Sequence, residues 1–312
     1  MRYYKGKMKE KMGKDTVRLN SFKAWWLAAR PKTLSGAAVP VMIGVALAWG
    51  DSWETSVQFS VWAAMLCFLF AFAMQIDANF VNDLFDFLNG TDDKKLRLGP
   101  PRACTEGWAT PKAMKKAICL TTVLACLLGL PLVCYGGWVM IAVGALCVLF
   151  CFLYTTHFAR LGLGDVLVLV FFGVVPVCLT YYLQMHSCPF RVIVVSLACG
   201  LVIDGLLIVN NFRDRDTDRA VGKLTLVVRL GEAHSLSLYM ALGVVACLMG
   251  LVFVPTRPFA SVFPLVYLAL HIATCRKMRR IGSGKALNAC LADTARNIFV
   301  YGLTMALGLL LR

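Results

Sequence analysis

The sequence predicts an all-α, polytopic membrane protein with nine transmembrane helices. Hydrophobic residues make up 59% of the 312 residues and charged residues only 16%, below the roughly 25% charged fraction of soluble domains. Apolar runs of near-spanning length follow one another along the chain. The net charge of +15 could indicate binding of nucleic acid. The charges, however, lie in short segments between apolar runs, so we expect membrane lipid and no nucleic acid as the partner.

A helix that spans the hydrocarbon core needs about 20 apolar residues. By this length the predicted spans are 25–49, 59–88, 113–134, 137–156, 163–184, 190–212, 233–254, 259–275 and 288–311. They form one transmembrane domain, 25–312, after a basic tail, 1–24, that we expect to be cytoplasmic. The first run exceeds signal-peptide length, so we expect no cleaved leader. Two polar interruptions, about 87–112 and 213–231, are predicted to be cytoplasmic cap loops.

The basic residues predict the orientation of these spans. Segments on the side of the N-terminus carry 28 of the 32 Lys and Arg. The opposite segments carry only Arg191, Arg257 and Arg312, while Arg296 lies within the last span. Because cytoplasmic loops are enriched in Lys and Arg, we expect the N-terminus inside and the C-terminus outside.

Neither cysteine nor histidine spacing indicates a metal site. The 13 cysteines follow no ligand or disulfide pattern, and most lie in apolar runs, so we expect them to be small core residues. For the four histidines, we expect loop or interface positions: His157, His186, His234 and His271. His157 could also shuttle a proton.

A polar stripe runs along the end of the second predicted span. Its side chains recur at intervals of three and four, which places them on one helical face; they are Gln75, Asn79, Asn82 and Asp86, with Asp83 slightly further round. Buried carboxylates are costly in a membrane and normally face a cavity or a partner. Since two neighbouring anions cannot satisfy each other, a divalent cation such as Mg²⁺ would stabilise them.

A second stripe ends the sixth predicted span. Asn211, Asp214 and Asp218 are spaced three and four apart. Carboxylates on two helix ends at one membrane face are the arrangement that holds a diphosphate through bridging Mg²⁺. Cationic contacts would come from Arg102, Arg213 and Lys223. The alternative, solvated helix ends with ordinary charges, stays open for Asp92, Asp93 and Asp216.

A diphosphate that is bound at the membrane interface with its apolar tail toward the lipid indicates an isoprenoid substrate. Its ionisation gives an allylic cation that apolar and aromatic side chains would shield from water. Core packing also explains the aromatic candidates: Phe171, Phe172, Tyr181 and Tyr182. Deeper in the spans, Asp77 and Asp204 are either hydrogen-bonded acids or part of an acceptor pocket. Asp293 and Arg296, three apart, are expected to form a local ion pair.

The two stripes, together with the Arg30-Pro31-Lys32 and Gly99-Pro100-Pro101-Arg102 stretches, resemble the UbiA superfamily of intramembrane prenyltransferases over almost the whole chain. The resemblance implies nine helices around a central cavity in a bacterial inner membrane. It implies a metal and diphosphate site of Asn79, Asn82, Asp83, Asp86, Asn211, Asp214 and Asp218. It also implies phosphate contacts from Arg102, Arg213 and Lys223, with Lys94, Arg97 and Arg30 as further contacts, and Tyr154 beside the leaving group. The superfamily generally places Glu where Asp165 stands.

The same resemblance implies a reaction. The polyprenyl diphosphate would ionise with Mg²⁺ bound, and an aromatic acceptor, 1,4-dihydroxy-2-naphthoate, would capture the cation and lose CO₂ to give demethylmenaquinol. Two alternatives remain at this point. A related enzyme could use another acceptor, such as 4-hydroxybenzoate, homogentisate, haem or a glycerol phosphate. The second alternative is a secondary transporter or lipid carrier with polar groups at broken helices.

Overall fold

The computed structural model describes residues 17–90, 94, 97–154, 158 and 162–311. Within this part of the chain every regular element is helical. Several predictions concern residues outside it, namely those for 1–16 of the basic tail and for Asp92, Asp93, His157 and Arg312.

Seven helices in the described ranges are long and apolar enough to cross a membrane. In chain order they are α1 (Phe22–Ser52), α2 (Val61–Leu88), α3 (Pro111–Gly136), α5 (Gly164–Met185), α6 (Phe190–Ala220), α7 (Leu226–Phe253) and α8 (Pro258–Ile281). Two further helices complete the bundle. The apolar α4 (Val139–Leu153) is shorter, and α9 (Asn288–Leu310) carries the charged Asp293 and Arg296.

The predicted cap loop 213–231 was wrong. Helix α6 continues to Ala220, and α7 already starts at Leu226. The turn between them is short because Gly222 adopts the left-handed conformation that ends a helix, φ 72°,. Thr225 then caps α7, since its side chain accepts a hydrogen bond from the backbone N–H of Val228,. The second polar stripe is therefore held rigidly on α6.

Two spans contain an irregular turn, and a proline explains the first of them. In α1, Arg30 lies in the left-handed region at φ 51° and ψ 66°, and Pro31–Thr33 form a 3-10 turn. A residue before proline disfavours the α conformation, so the chain breaks here. In α5, Leu169–Val174 form a π-helical turn that precedes Pro176. Such turns occur frequently at functional sites.

Helix α6 is central, since it packs against α1, α5, α7 and α9. Its approach to α5 is close because two glycines meet. A Cβ atom on Gly173 would lie 2.6 Å from the carbonyl oxygen of Ser196 and 2.7 Å from the Cα of Gly200. Only glycine permits this contact between two backbones.

An ion network closes the bundle at the end opposite the polar stripes. The buried Asp51 accepts hydrogen bonds from Tyr181 (2.6 Å), Arg191 (2.7 Å) and Arg257 (2.6 Å). Arg257 also donates to the carbonyl oxygen of Leu309 at 2.9 Å. Arg257 lies between α7 and α8, in a segment that we expected on the outer side, and its side chain is buried there. Tyr181, a candidate for shielding the cation, instead supports this far end.

The predicted location of His271 was wrong. It is buried in α8 and stacks on Tyr239 with ring centroids 4.2 Å apart. Its Nε2 lies 2.8 Å from the carbonyl oxygen of Tyr239, and its Nδ1 lies 3.2 Å from the Tyr267 hydroxyl. These contacts satisfy both ring nitrogens within the core. His186 and His234 are exposed, as expected.

The structure favours one of the two alternatives left open for Asp77 and confirms the ion pair of Asp293. Asp77 is a buried, hydrogen-bonded acid whose oxygens accept from the hydroxyls of Thr121 and Thr122. Asp293 pairs with Arg296 at 3.5 Å. It also accepts from Lys277 of α8 at 2.7 Å, a closer partner that spacing along one helix could not reveal.

Candidate active site

The first polar stripe anchors a loop. Asp83 is fully buried, and its two oxygens accept hydrogen bonds from the backbone N–H groups of Ala103 (2.8 Å) and Cys104 (2.9 Å). Both oxygens of this predicted metal ligand are thus engaged by the segment 97–110. Burial, and next the nearby charge of Asp83, raise the pKa of the Cys104 thiol to about 12. A metal-binding role for Asp83 stays a prediction.

One turn further along α2, Asp86 is partly open to solvent. It pairs with Arg102, which also donates to the backbone carbonyl oxygen of Asn82 at 2.9 Å. The Asp86 side chain retains 27% of its exposure, against 13% for that of Arg102. A carboxylate that keeps this exposure can bind a cation or a water molecule.

The deeper part of the stripe fixes the break in α1. Asn79 donates to the carbonyl oxygen of Ala29 (2.9 Å) and to the Thr33 hydroxyl (3.0 Å). Gln75 reaches the same hydroxyl at 3.4 Å. The break brings Arg30 within electrostatic range of Asp83 and Asp86, and its Nη2 has no hydrogen-bond partner among the described residues. Asn79 therefore positions a cation at the site.

Arg213 joins the second stripe to the same loop. Its guanidinium donates to Asp214 (2.5 and 2.8 Å), to Asn210 (2.8 Å) and to Asn288 at the start of α9 (2.9 Å). Asn288 in turn donates to the backbone oxygen of Leu98 at 2.8 Å. The guanidinium also packs on Gly99, where a Cβ atom would lie 2.7 Å from Nη2. Arg213 is buried and holds α6, α9 and the loop together.

The end of α6 presents two further carboxylates. Asp218 accepts from Lys223 at 3.2 Å, across the short turn after the helix. Asp214, although paired with Arg213, keeps 24% of its side-chain exposure. Asn211 is buried on the same helix. Asp216, for which we had left a solvated position open, is exposed.

Two basic residues predicted to bind phosphate stabilise the loop in the structure. Lys94 pairs with Glu106 at 2.6 Å. Arg97 donates to the carbonyl oxygen of Pro100 at 2.6 Å. A phosphate contact for either residue stays a prediction.

Tyr154 lies between the two carboxylate-bearing helices. Its phenol is within electrostatic range of Asp165 on α5, Asp204 on α6 and Asp86 on α2. Nearby aromatic rings line this region, since Phe150 packs on Phe171 at 4.9 Å between ring centroids. The structure thus places the predicted residue Tyr154 near Asp86 of the first stripe and near Asp204 of α6.

The loop 97–110 is the element that brings these groups together, because it contacts Asp83 and Asp86 on α2 and Arg213 on α6. The stripes were predictable from spacing, but Thr33, Asn288 and the two loop amides were not. In the described ranges, no three Asp, Glu, His or Cys side chains converge closely enough to hold a metal ion by themselves. Substrate phosphates would have to supply the remaining ligands of a cation here.

Fold and site define an all-helical membrane protein whose two acidic helix ends share one cap loop and face an aromatic interior. That is the arrangement of an intramembrane enzyme for diphosphate substrates. The chain belongs to the UbiA prenyltransferase family, whose model matches residues 37–301. A relative from Escherichia coli (strain K12), named 1,4-dihydroxy-2-naphthoate octaprenyltransferase, is 34% identical over 299 residues, which cover 92% of this chain and 95% of the relative.

Solved structures support the same fold. A UbiA homologue from Aeropyrum pernix K1 superimposes with a TM-score of 0.68 at 12% identity, covering 89% of this chain and 97% of that one. A UbiA homologue from Archaeoglobus fulgidus, solved with GPP and Mg²⁺, gives a TM-score of 0.59 at 13% identity over 90% of this chain and 99% of that one.

Proposed function

We propose that this prenyltransferase transfers a polyprenyl group from its diphosphate to 1,4-dihydroxy-2-naphthoate with loss of CO₂, giving demethylmenaquinol. The observation that carries the proposal is the cap loop, which links acidic residues on α2 to Arg213 on α6. The name of the Escherichia coli relative supports the naphthoate as acceptor. The Archaeoglobus structure supports a prenyl diphosphate with Mg²⁺.

The residues present fit a bound Mg²⁺. Carboxylate oxygens are its preferred protein ligands, and it is usually shared between one or two carboxylates and substrate phosphates. We assign this role to Asp86, Asp214 and Asp218. The ion would neutralise charge on the departing diphosphate. To Asp83 and Asn79, both predicted as ligands, we assign a positioning role, since their side chains hold the loop and the α1 break.

The protein's own cations would complete diphosphate binding. Arg30 has an unpartnered, buried Nη2 among the described residues, and an oxyanion would satisfy it. Arg102 and Lys223 each hold an acidic side chain at the edge of the site and could exchange it for phosphate oxygen. Arg213 would act by orienting Asp214. The rings of Phe150 and Phe171 beside Tyr154 would shield the allylic cation from water,.

The membrane arrangement that we propose is the predicted one. All nine helices would cross a bacterial inner membrane. The N-terminus and the cap loop would lie on its cytoplasmic side. Seven helices meet the length and hydropathy of a span. The shorter α4 and the charged α9 would also cross the bilayer, because they pack with these helices in the same bundle.

The decisive test uses purified protein in detergent with a polyprenyl diphosphate and Mg²⁺. It offers 1,4-dihydroxy-2-naphthoate and 4-hydroxybenzoate in parallel, with and without EDTA. We expect prenylated naphthoate with stoichiometric CO₂, and no product after EDTA treatment until Mg²⁺ is restored. Prenylation of 4-hydroxybenzoate alone would refute the proposed acceptor, and undiminished activity in excess EDTA would refute the metal.

A further inference from the structure

Two carboxyl groups outside the diphosphate site each have one buried oxygen atom. Asp204, in the middle of α6, is 5% exposed, and Asp165 stands in the first turn of α5. One oxygen of each, Oδ1, is buried without a hydrogen-bond partner among the described residues. A buried polar atom without a partner is costly, and each such atom in a native structure calls for a ligand, water or function.

The two carboxyl groups converge on Tyr154. Asp165 is within electrostatic range of Asp204, and both act on the Tyr154 phenol. Packing agrees, because a Cβ atom on Gly164 would lie 3.7 Å from the Tyr154 hydroxyl oxygen and 3.3 Å from Leu207, one turn after Asp204. Tyr154, which follows α4, thus shares one location with acidic groups of α5 and α6.

This location lies directly below the diphosphate site. Asp204 precedes Asn211 by seven residues on α6, which places it on the same helical face and about 10 Å deeper. It therefore lies on the side where the reactive carbon of a bound prenyl diphosphate would be. The α5 segment Leu169–Val174, which packs against α6, is the π-helical turn.

The chemistry of the site selects among the substrates. A prenyl tail has no group that hydrogen-bonds to a carboxyl oxygen, and an anionic diphosphate would be repelled by it. An aromatic hydroxyl can donate to such an oxygen. We propose that Asp165 and Asp204 bind the hydroxyl groups of the aromatic acceptor and orient its ring beside Tyr154. This inference rests on the proposed function and assigns the positioning residues of its acceptor subsite.

The test measures how strongly the protein discriminates between acceptors that differ by one hydroxyl. Dissociation constants of 1,4-dihydroxy-2-naphthoate and 1-hydroxy-2-naphthoate are compared by calorimetry for the wild type, Asp165→Leu and Asp204→Leu. Leu has nearly the shape of Asp without its oxygens, and it suits an apolar site, so the variants should fold. The matched control is Asp77→Leu, because Thr121 and Thr122 keep hydrogen bonds to their own helix.

We expect the wild type and the control to bind the dihydroxy acid about tenfold or more tightly than the monohydroxy acid, the size of one lost hydrogen bond. In Asp165→Leu, in Asp204→Leu or in both, the ratio of the two dissociation constants should fall toward one. Affinity for prenyl diphosphate with Mg²⁺ should stay within about twofold of the wild type in every variant. A merely structural role would lower both affinities together and leave the ratio unchanged.

Failure of the inference can be told apart from failure of the proposed function. Wild-type protein that makes no product from the naphthoate in the same preparation overturns the proposed function, and this inference with it. An active wild type whose affinity ratio is retained in both variants overturns this inference alone. So does a loss of prenyl diphosphate affinity in both variants that matches their loss of acceptor affinity.

Discussion

At the scale of single residues, Asp83 acts on the site through the loop that it holds. A carboxylate that accepts two backbone N–H groups forms charge-assisted bonds, which are about twice as strong as neutral ones. The same two bonds fix the backbone next to Arg102, and so the position from which the Arg102 side chain pairs with Asp86. Losing the charge of Asp83 would therefore disturb Arg102 and Asp86 without touching either directly.

The thiol of Cys104 reports on this clamp. Its raised pKa, about 12, means that the protonated thiol predominates below that pH, while alkylation requires the thiolate. In a variant with Cys104 as the sole cysteine, we expect maleimide labelling to be slow at pH 8 and to change about tenfold per pH unit around that pH. Adding Asp83→Asn should accelerate labelling at pH 8 at least tenfold, measured by mass spectrometry.

The control for this experiment is a protein that keeps only Cys134, an exposed cysteine in α3. Its labelling rate should be the same with and without Asp83→Asn. Equal rates for Cys104 in the two backgrounds would contradict the clamp.

Asp214 and Asp216 offer a matched pair on one helix. Asp214 faces Arg213 and the site, whereas Asp216 is exposed. We expect Asp214→Asn to lower the rate of prenyl transfer at least 100-fold, about 3 kcal/mol of transition-state stabilisation, in protein that elutes as wild type on gel filtration. Asp216→Asn should retain activity within about twofold. Comparable losses in both variants would refute the assignment.

Spacing along a helix predicted which polar side chains share a face, because helix geometry is local. It did not predict their partners. Asp83 contacts amides about twenty residues later, and Arg213 contacts Asn288 about seventy-five residues later. His271 was misplaced for the same reason, since its stacking partner Tyr239 on α7 is distant in sequence.

At the scale of helices, irregular turns place the functional groups. The α1 break is signalled by Pro31, but the left-handed Arg30 at its centre depends on contacts from Asn79 and Thr33. The π-helical turn in α5 has no comparable sequence signal. It follows from the glycine contact with α6, which spacing within one helix does not encode.

The close contact between Gly173 and Gly200 predicts that a larger residue at position 173 lowers the stability of the fold. In Gly173→Ala the new methyl group would meet the Ser196 carbonyl and the Gly200 backbone at under 3 Å, and backbone atoms cannot move aside as a flexible side chain can. We expect a loss of roughly 1–3 kcal/mol, seen as a lower thermal midpoint in detergent. Gly144→Ala is the control, because nothing lies within 4 Å of that position. An unchanged midpoint for both would contradict the close packing.

At the scale of the whole molecule, the two ends of the bundle differ in chemistry. One end carries acidic side chains that stay partly open to solvent, and the other is closed by paired charges around Asp51. Hydropathy predicted the helix positions well because each span must meet the bilayer along its own length. Hydropathy did not predict the extension of α6 beyond the apolar run, because its last two turns are polar and are stabilised by Arg213 and Lys223. The helical spacing of Asn211, Asp214 and Asp218 was the only sequence signal for it.

The orientation can be tested with two exposed serines. Ser187 lies in the turn between α5 and α6, and Ser283 between α8 and α9. In a cysteine-free background, Ser187→Cys should react with an impermeant maleimide in intact cells, whereas Ser283→Cys should react only after lysis. Arg257 is unsuitable for this purpose because it is buried. The opposite labelling pattern would reverse the proposed topology.

The network around Asp51 also has an electrical consequence. Its two acidic side chains, Asp51 and Glu54, are balanced by the guanidinium groups of Arg191 and Arg257. A membrane voltage does work of about 2.3 kcal/mol per elementary charge and 100 mV on a group that moves through it, but a neutral cluster experiences no net force. The membrane voltage should therefore leave these ion pairs in place, and the packing of α1, α5, α6 and α8 that they join should be the same in an energised and a de-energised membrane.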